Sequence, residues 1–125
     1  MAIRVTSHTV TVGLPQDLEM GVGEDREFLL TFQDAGAAVP FPDVSSLKLV
    51  VLTDDQQERG LVFATEAISY GALDGTARFR VLVADTTGWA TGVYWAHVTL
   101  MDTSGYKTQL LFRSQFTLLP RVAAP

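Results

Sequence analysis

His8 and His97 are the only imidazoles in a chain of 125 residues that contains no cysteine. A catalytic triad needs a nucleophile, a base and an orienting acid in contact, and no local motif such as G-x-S-x-G marks a nucleophile here. One histidine supplies one member of such a set, so His97 reads as a surface or interface residue. The clustered carboxylates are Glu24, Asp25 and Glu27, and Asp54, Asp55 and Glu58. Calcium takes about six to eight oxygen ligands, and neither cluster follows the spacing D-x-[DN]-x-[DN]-G, so both read as solvated turns. Paired carboxylates for glycoside hydrolysis act through a spatial separation that chain spacing does not reveal, and nothing in the sequence favours them. The glycines of GVGED neither follow a strand nor open a helix, so no phosphate loop is implied. No catalytic residue, cofactor or metal site is therefore expected.

Length and composition describe one packed domain. The chain is 47% hydrophobic and 18% charged, on the globular side of the boundary with disordered chains. Its formal charge of −5, from 9 basic and 14 acidic residues, repels nucleic acid and anionic lipid unless the basic residues cluster, and they are scattered from Arg4 to Arg121. Neither nucleic acid nor membrane is expected as a partner. The lack of cysteine fits maturation in a reducing compartment. The opening MAIRVTSHTVTVG has no apolar signal region, and no run reaches transmembrane length. A soluble protein made in a cytoplasm is expected.

The dominant period is two, in short apolar alternations separated by turn residues. Ile3 and Val5, then Val10 and Val12, suggest a first strand, followed by a polar link, GLPQDLEMGVGED. REFLLTFQ places Phe28, Leu30 and Phe32 on one face. DAGAAVPFPD, with Gly36, Pro40 and Pro42, is a connection. SSLKLVVLT sets Leu47, Leu49 and Val51 against Lys48, Val50 and Leu52, and DDQQERG turns. LVFATEAISY offers one or two weaker edge strands, and TARFRVLV alternates Phe79, Val81 and Val83 with Arg78, Arg80 and Leu82. ADTTGWATG has room for one short helical turn. GVYWAHVTLM and QLLFRSQFTLL, joined by DTSGYK, form a hairpin. The sum is an all-β fold, a single antiparallel immunoglobulin-like sandwich of about seven to eight strands over residues 1–120, with 121–125 as a flexible tail.

The stretch GWATGVYWAHVTLMDTSG carries the most specific structural signal. In immunoglobulin-like sandwiches a tyrosine near the start of the penultimate strand bonds back to the preceding backbone and fixes the corner between sheets. Trp89, Gly92 and Tyr94 fit that spacing, and Ala96 stands where antibody domains have a cysteine. Tyr94, Ala96, Val98 and Leu100 then face inward. The opposite row, Val93, Trp95, His97, Thr99 and Met101, faces outward beside Leu111, Arg113, Gln115 and Thr117 of the last strand and Lys48, Val50 and Leu52 of the middle one. A solvated face would carry more charge, and semi-apolar patches mark partner surfaces. The candidate partner surface is Val93, Trp95, His97, Met101, Leu111 and Arg113. The competing reading covers Trp95 with the chain's own DAGAAVPFPD loop, through Phe41.

With the strands placed, the order of motifs resembles the small immunoglobulin-like domains of tailed-phage virion proteins, including the amino-terminal domains of baseplate and tail-fibre adaptors. The features are EDREFLLTFQDAGAAVPFPD, SSLKLVVLTDD, and the terminal pair GVYWAHVTLMDTSG and LLFRSQFTLLP. The pattern is similar to that of the family at Gly92, Tyr94, Asp102, Gly105 and Pro120, and spans residues 18–120. It carries no catalytic residues. In fibre adaptors such a domain precedes a long helical or fibrous region, whereas this sequence stops after Pro125, so a free-standing domain is expected.

The resemblance implies a non-enzymatic structural component of a tailed-phage virion, in the tail, baseplate or a connector, made in the host cytoplasm and acting through contacts with other virion proteins. A homo-oligomer in a symmetric particle is expected, with sheet edges and the arm PRVAAP as further attachment routes. The alternatives are a capsid decoration protein and a carbohydrate-binding sandwich that stacks sugar on Trp95, Trp89 or Tyr70.

Overall fold

The computed structural model describes residues 4–12, 14–41, 43–53 and 61–120. Ile3, the turn DDQQERG at its positions 54–60, and the tail 121–125 lie outside the described residues. The strands are β1 (Arg4–Thr11), β2 (Leu18–Gly21), β3 (Arg26–Asp34), β4 (Ala37–Ala38), β5 (Val44–Leu52), β6 (Leu61–Glu66), β7 (Ser69–Gly71), β8 (Thr76–Val81), β9 (Gly92–Asp102) and β10 (Lys107–Leu119), with a one-turn helix α1 (Val83–Thr86). They form two five-stranded sheets. The first has the order β1-β3-β8-β7 with β4 alongside β3, and the second the order β2-β10-β9-β5-β6.

Period-two alternation gives each sheet one apolar side, and the two apolar sides meet. Phe28, Leu30 and Phe32 of β3 and Ala77, Phe79 and Val81 of β8 face Leu49 and Val51 of β5, Ala96, Val98 and Leu100 of β9, and Phe116 and Leu118 of β10, all buried in one cluster. The rings of Phe28 and Phe116 meet edge to face across the two sheets, with centroids 5.9 Å apart. Such burial is what an all-β domain without disulfides relies on.

The all-β sandwich expected from the sequence is present, but its sheets are mixed rather than purely antiparallel. β1 runs parallel to β3 and β2 runs parallel to β10. The cause lies in GLPQDLEMGVGED, which holds a strand rather than serving only as a link: Leu18 and Met20 are fully buried on β2. The chain passes up the first sheet as β1, down the second as β2, and back up the first as β3, so β1 and β3 share a direction. The first-strand reading also needs adjustment, because Val10 is buried while Val5 is exposed.

DAGAAVPFPD contains the two-residue strand β4, paired with Gln33 and Asp34. LVFATEAISY resolves into β6 and β7, and the chain changes sheet between them in one step. Ala67 N donates to Leu47 O in the second sheet (2.8 Å), and Ile68 N donates to Arg78 O in the first (2.9 Å). DTSGYK closes the β9–β10 hairpin through Asp102, whose Oδ1 accepts from the amides of Ser104 (2.9 Å) and Tyr106 (3.0 Å), the local side-chain turn that aspartate favours.

Candidate functional site

At the lower end of β9 the corner residues come together. The Tyr94 hydroxyl donates to the Ala90 carbonyl at 2.6 Å, tying the start of the strand to the chain four residues upstream. Gly92 opens β9 at φ +142°, a backbone conformation that L side chains avoid and glycine adopts freely. Trp89 lies against three rings, with centroids 5.2 Å from Tyr94, 6.1 Å from Phe63 and 6.4 Å from Phe116. Ala96 is fully buried. Tyr94 and Ala96 are thus buried packing elements and Trp89 a half-buried one, while exposed Gly92 supplies the backbone conformation of the corner.

The other side of β9 is the outer face of the second sheet. Register sets Trp95 between Leu52 of β5 and Gln115 of β10. Val93 lies opposite Thr117, and Thr99 lies between Lys48 and Gln109. Val93 is 52% exposed, while Trp95, Thr99, Met101 and Val50 are half-buried. Leu52 shares Trp95's side of β5 and is buried there, outside the main core cluster. Polar groups border this patch: Gln115 is exposed, and Lys48 and Glu66 approach to 3.9 Å with both side chains at least half exposed. An apolar centre with a polar border is the composition of a protein-binding patch.

Four expectations change at this face. Leu111 belongs to the core at 1% exposure, opposite Val98. The reason is that β10 is bulged, with register shifts between Gln109 and Leu111 and between Leu111 and Ser114; each shift moves a side chain to the other side of the sheet. Arg113 sits in the second bulge at φ +56°, exposed, rather than in the outward row. His97 is 7% exposed. It lies within the face, between Val50 of β5 and the bulged part of β10, and is not displayed on the surface. Phe41, the proposed cover for Trp95, packs instead into the core beside Phe32 (6.2 Å) and Tyr70 (6.3 Å).

The first acidic cluster does structural work that turn spacing did not reveal. Glu24 Oε1 accepts from Gly21 N (2.7 Å) and Arg26 (2.6 Å), and Asp25 Oδ1 accepts from Val83 N (2.7 Å) at the start of α1. Glu27 is buried on the outer side of the first sheet, where Arg78 Nη1 donates to Oε2 (2.7 Å) and Arg80 Nη2 to Oε1 (3.0 Å). Burial by itself raises a carboxyl pKa, but the hydrogen bonds and charges of the two guanidiniums outweigh it, and Glu27 is held below its ordinary 4.5. The signal was present as the outward pair Arg78 and Arg80 in TARFRV, but the β3–β8 pairing that joins them to Glu27 is long-range. Asp54, Asp55 and Glu58 lie outside the described residues. Among the described residues no group of three or more His, Asp or Glu side chains is placed to hold a metal ion.

His8 lies on the core side of β1, stacked against Phe28 with centroids 6.4 Å apart. Its Nδ1 is 3.4 Å from Gln16 Nε2, which donates to it in the neutral tautomer that carries the ring proton on Nε2. Burial first, and Arg26 second, lower its pKa from 6.5 against an opposing pull from Glu19.

No protein-family model and no curated protein matches the chain. Among solved structures, it is similar to the N-terminal domain of ORF48 from phage TP901-1. The TM-score is 0.67 at 9% sequence identity, over 96% of this chain and 100% of that one. At that identity the likeness concerns the fold.

Proposed function

We propose that this chain is a non-enzymatic structural component of a tailed-phage virion, of the small immunoglobulin-like type, that binds neighbouring virion proteins through the outer face around Trp95. The observation that carries the reading is the end-to-end likeness of its sandwich to a phage protein domain, with both chains covered almost completely. The face supplies the means. Val93, Trp95, Thr99 and Met101 on β9 and Val50 on β5 form a largely apolar strip, with Val93 open to solvent and the others half-buried. Burial of a tryptophan by a partner is a common source of binding energy in protein interfaces.

Tail, baseplate or connector is the preferred location, with synthesis in the host cytoplasm and assembly from repeated copies. Mass spectrometry of purified particles tests the reading. The chain is expected there in a fixed ratio to the other tail proteins. Its absence from particles, or its presence only in proportion to the major capsid protein, contradicts the tail assignment. The second of those results supports capsid decoration.

A further inference from the structure

The two sheets protect their open edges very differently. On the second sheet, β2 covers only Phe116–Leu119 of β10, and the remaining length of β10 carries two register shifts, Lys107, and Arg113 at φ +56°. Bulges and charges of this kind stop an edge from recruiting another strand. β7 is three residues long, and β6 leads directly into the change of sheet at Ala67 and Ile68. β1 has none of these devices. Its eight residues, RVTSHTVT, pair with β3 in unbroken register, include no proline, and carry one charge, Arg4, at the end. No described strand pairs with its other side.

We propose that β1 is a homotypic joint, at which the β1 strands of two copies pair antiparallel about a two-fold axis at Ser7 and join their first sheets into one continuous sheet. This goes beyond the reading of the Trp95 face, because it concerns the opposite sheet and a second copy of the same chain. The edge is self-complementary, and charge at the contact does not oppose a second copy. Each copy carries −5 overall, yet this edge has no acidic residue, and antiparallel pairing keeps the two Arg4 side chains at opposite ends, each opposite Val10. Centring at Ser7 sets Val5 opposite Thr9 on the outer side, a β-branched cross-strand pair, and Thr6 opposite His8. Centring one residue later would face His8 with its own copy, so the Ser7 register is preferred. The contact is isologous and therefore closes as a dimer.

Because the chain has no native cysteine, single cysteines report this geometry directly. Opposed residues of antiparallel strands have Cα atoms about 4.5–5.5 Å apart, within disulfide reach. Ser7 and Thr108 are both exposed, so Ser7→Cys and Thr108→Cys should each fold, which circular dichroism checks. Under mild oxidation Ser7→Cys is expected to give on the order of tenfold more disulfide-linked dimer than Thr108→Cys on the bulged edge, through the effective concentration the joint creates. Val5→Cys mixed with Thr9→Cys should cross-link as the mixed dimer in preference to either variant with itself. A folded Ser7→Cys protein that cross-links no faster than Thr108→Cys overturns the joint, and so does self-pairing of Val5→Cys in preference to the mixed dimer. Loss of Trp95-dependent assembly would leave these results unchanged, so the two ideas fail separately.

Discussion

The two outer faces of this sandwich answer the same problem in opposite ways. On the first sheet the buried polar group, Glu27, receives both its partners from the adjacent strand: Arg78 and Arg80 lie over it and remain 44% and 41% exposed. That face neutralises its buried carboxylate within one chain. On the second sheet, the corresponding central row sets half-buried Trp95 and Met101 around buried His97 and Leu52, with Val93 open to solvent. Its charges are the loose Lys48–Glu66 pair, Lys107 opposite Met101 and Glu19 opposite Thr117. A face that satisfies its own groups gains little from a partner, whereas one that leaves apolar area in water gains roughly 25 cal/mol for each square ångström covered. In the proposed function the first face is scaffold and the second is the recognition surface.

The largest effect expected is on the first sheet's outer face. Glu27→Ala removes the carboxylate that two guanidiniums share. Breaking a buried pair costs about 3–5 kcal/mol, and because both arginines stay partly in water the lower end, about 3 kcal/mol, is expected in chemical denaturation. A loss below about 1 kcal/mol would place the pair among ordinary surface salt bridges. On the inward side of β9, Ala96→Leu should cost about 2 kcal/mol by overpacking, and an unchanged melting temperature would contradict the inward assignment. Tyr94→Phe removes the hydroxyl that donates to Ala90 and should cost about 1 kcal/mol.

Acid sharpens the same contrast in smaller steps. His8 has a folded pKa lowered from 6.5, so the unfolded chain takes up its proton first. The contribution of neutral His8 is complete above 6.5 and declines as pH falls through the folded value. Glu27 is lowered from 4.5, and by the same sign its contribution is complete above 4.5 and lost as pH falls through its own folded value. Melting temperature against pH should therefore decline in two stages. His8→Gln should remove the upper stage and Glu27→Gln the lower; a profile unchanged by either variant would contradict these linkages.

Much of this architecture was legible in the sequence because it rests on local alternation. The β9–β10 hairpin, the inward row Tyr94, Ala96, Val98 and Leu100, and the short helical turn after β8 all follow from period and turn chemistry. What the sequence hid was long-range or broke the period. The parallel placement of β1 and β2 depends on pairings across the whole domain. Strict alternation carried through the β10 bulges places Leu111 outward, although QLLF, with apolar residues at adjacent positions, already breaks a period of two. Glu27 read as part of an acidic turn because its neutralising arginines lie some fifty residues away along the chain. The Trp95 row itself was readable, but the burial of His97 within it was not, since that follows from the bulged strand beside it.

Coverage of the Trp95 face by a partner is tested by Trp95→Asp. The substitution places a carboxylate at the centre of the face, where a free domain can hydrate it but an assembled one must desolvate it. Incorporation into particles is the quantity to measure, beside circular dichroism of the isolated chain. The variant is expected to keep the wild-type spectrum and to fall at least about tenfold in incorporation, the equivalent of 1.4 kcal/mol. A folded variant that enters particles as well as wild type would contradict the assignment and move recognition elsewhere on the sandwich.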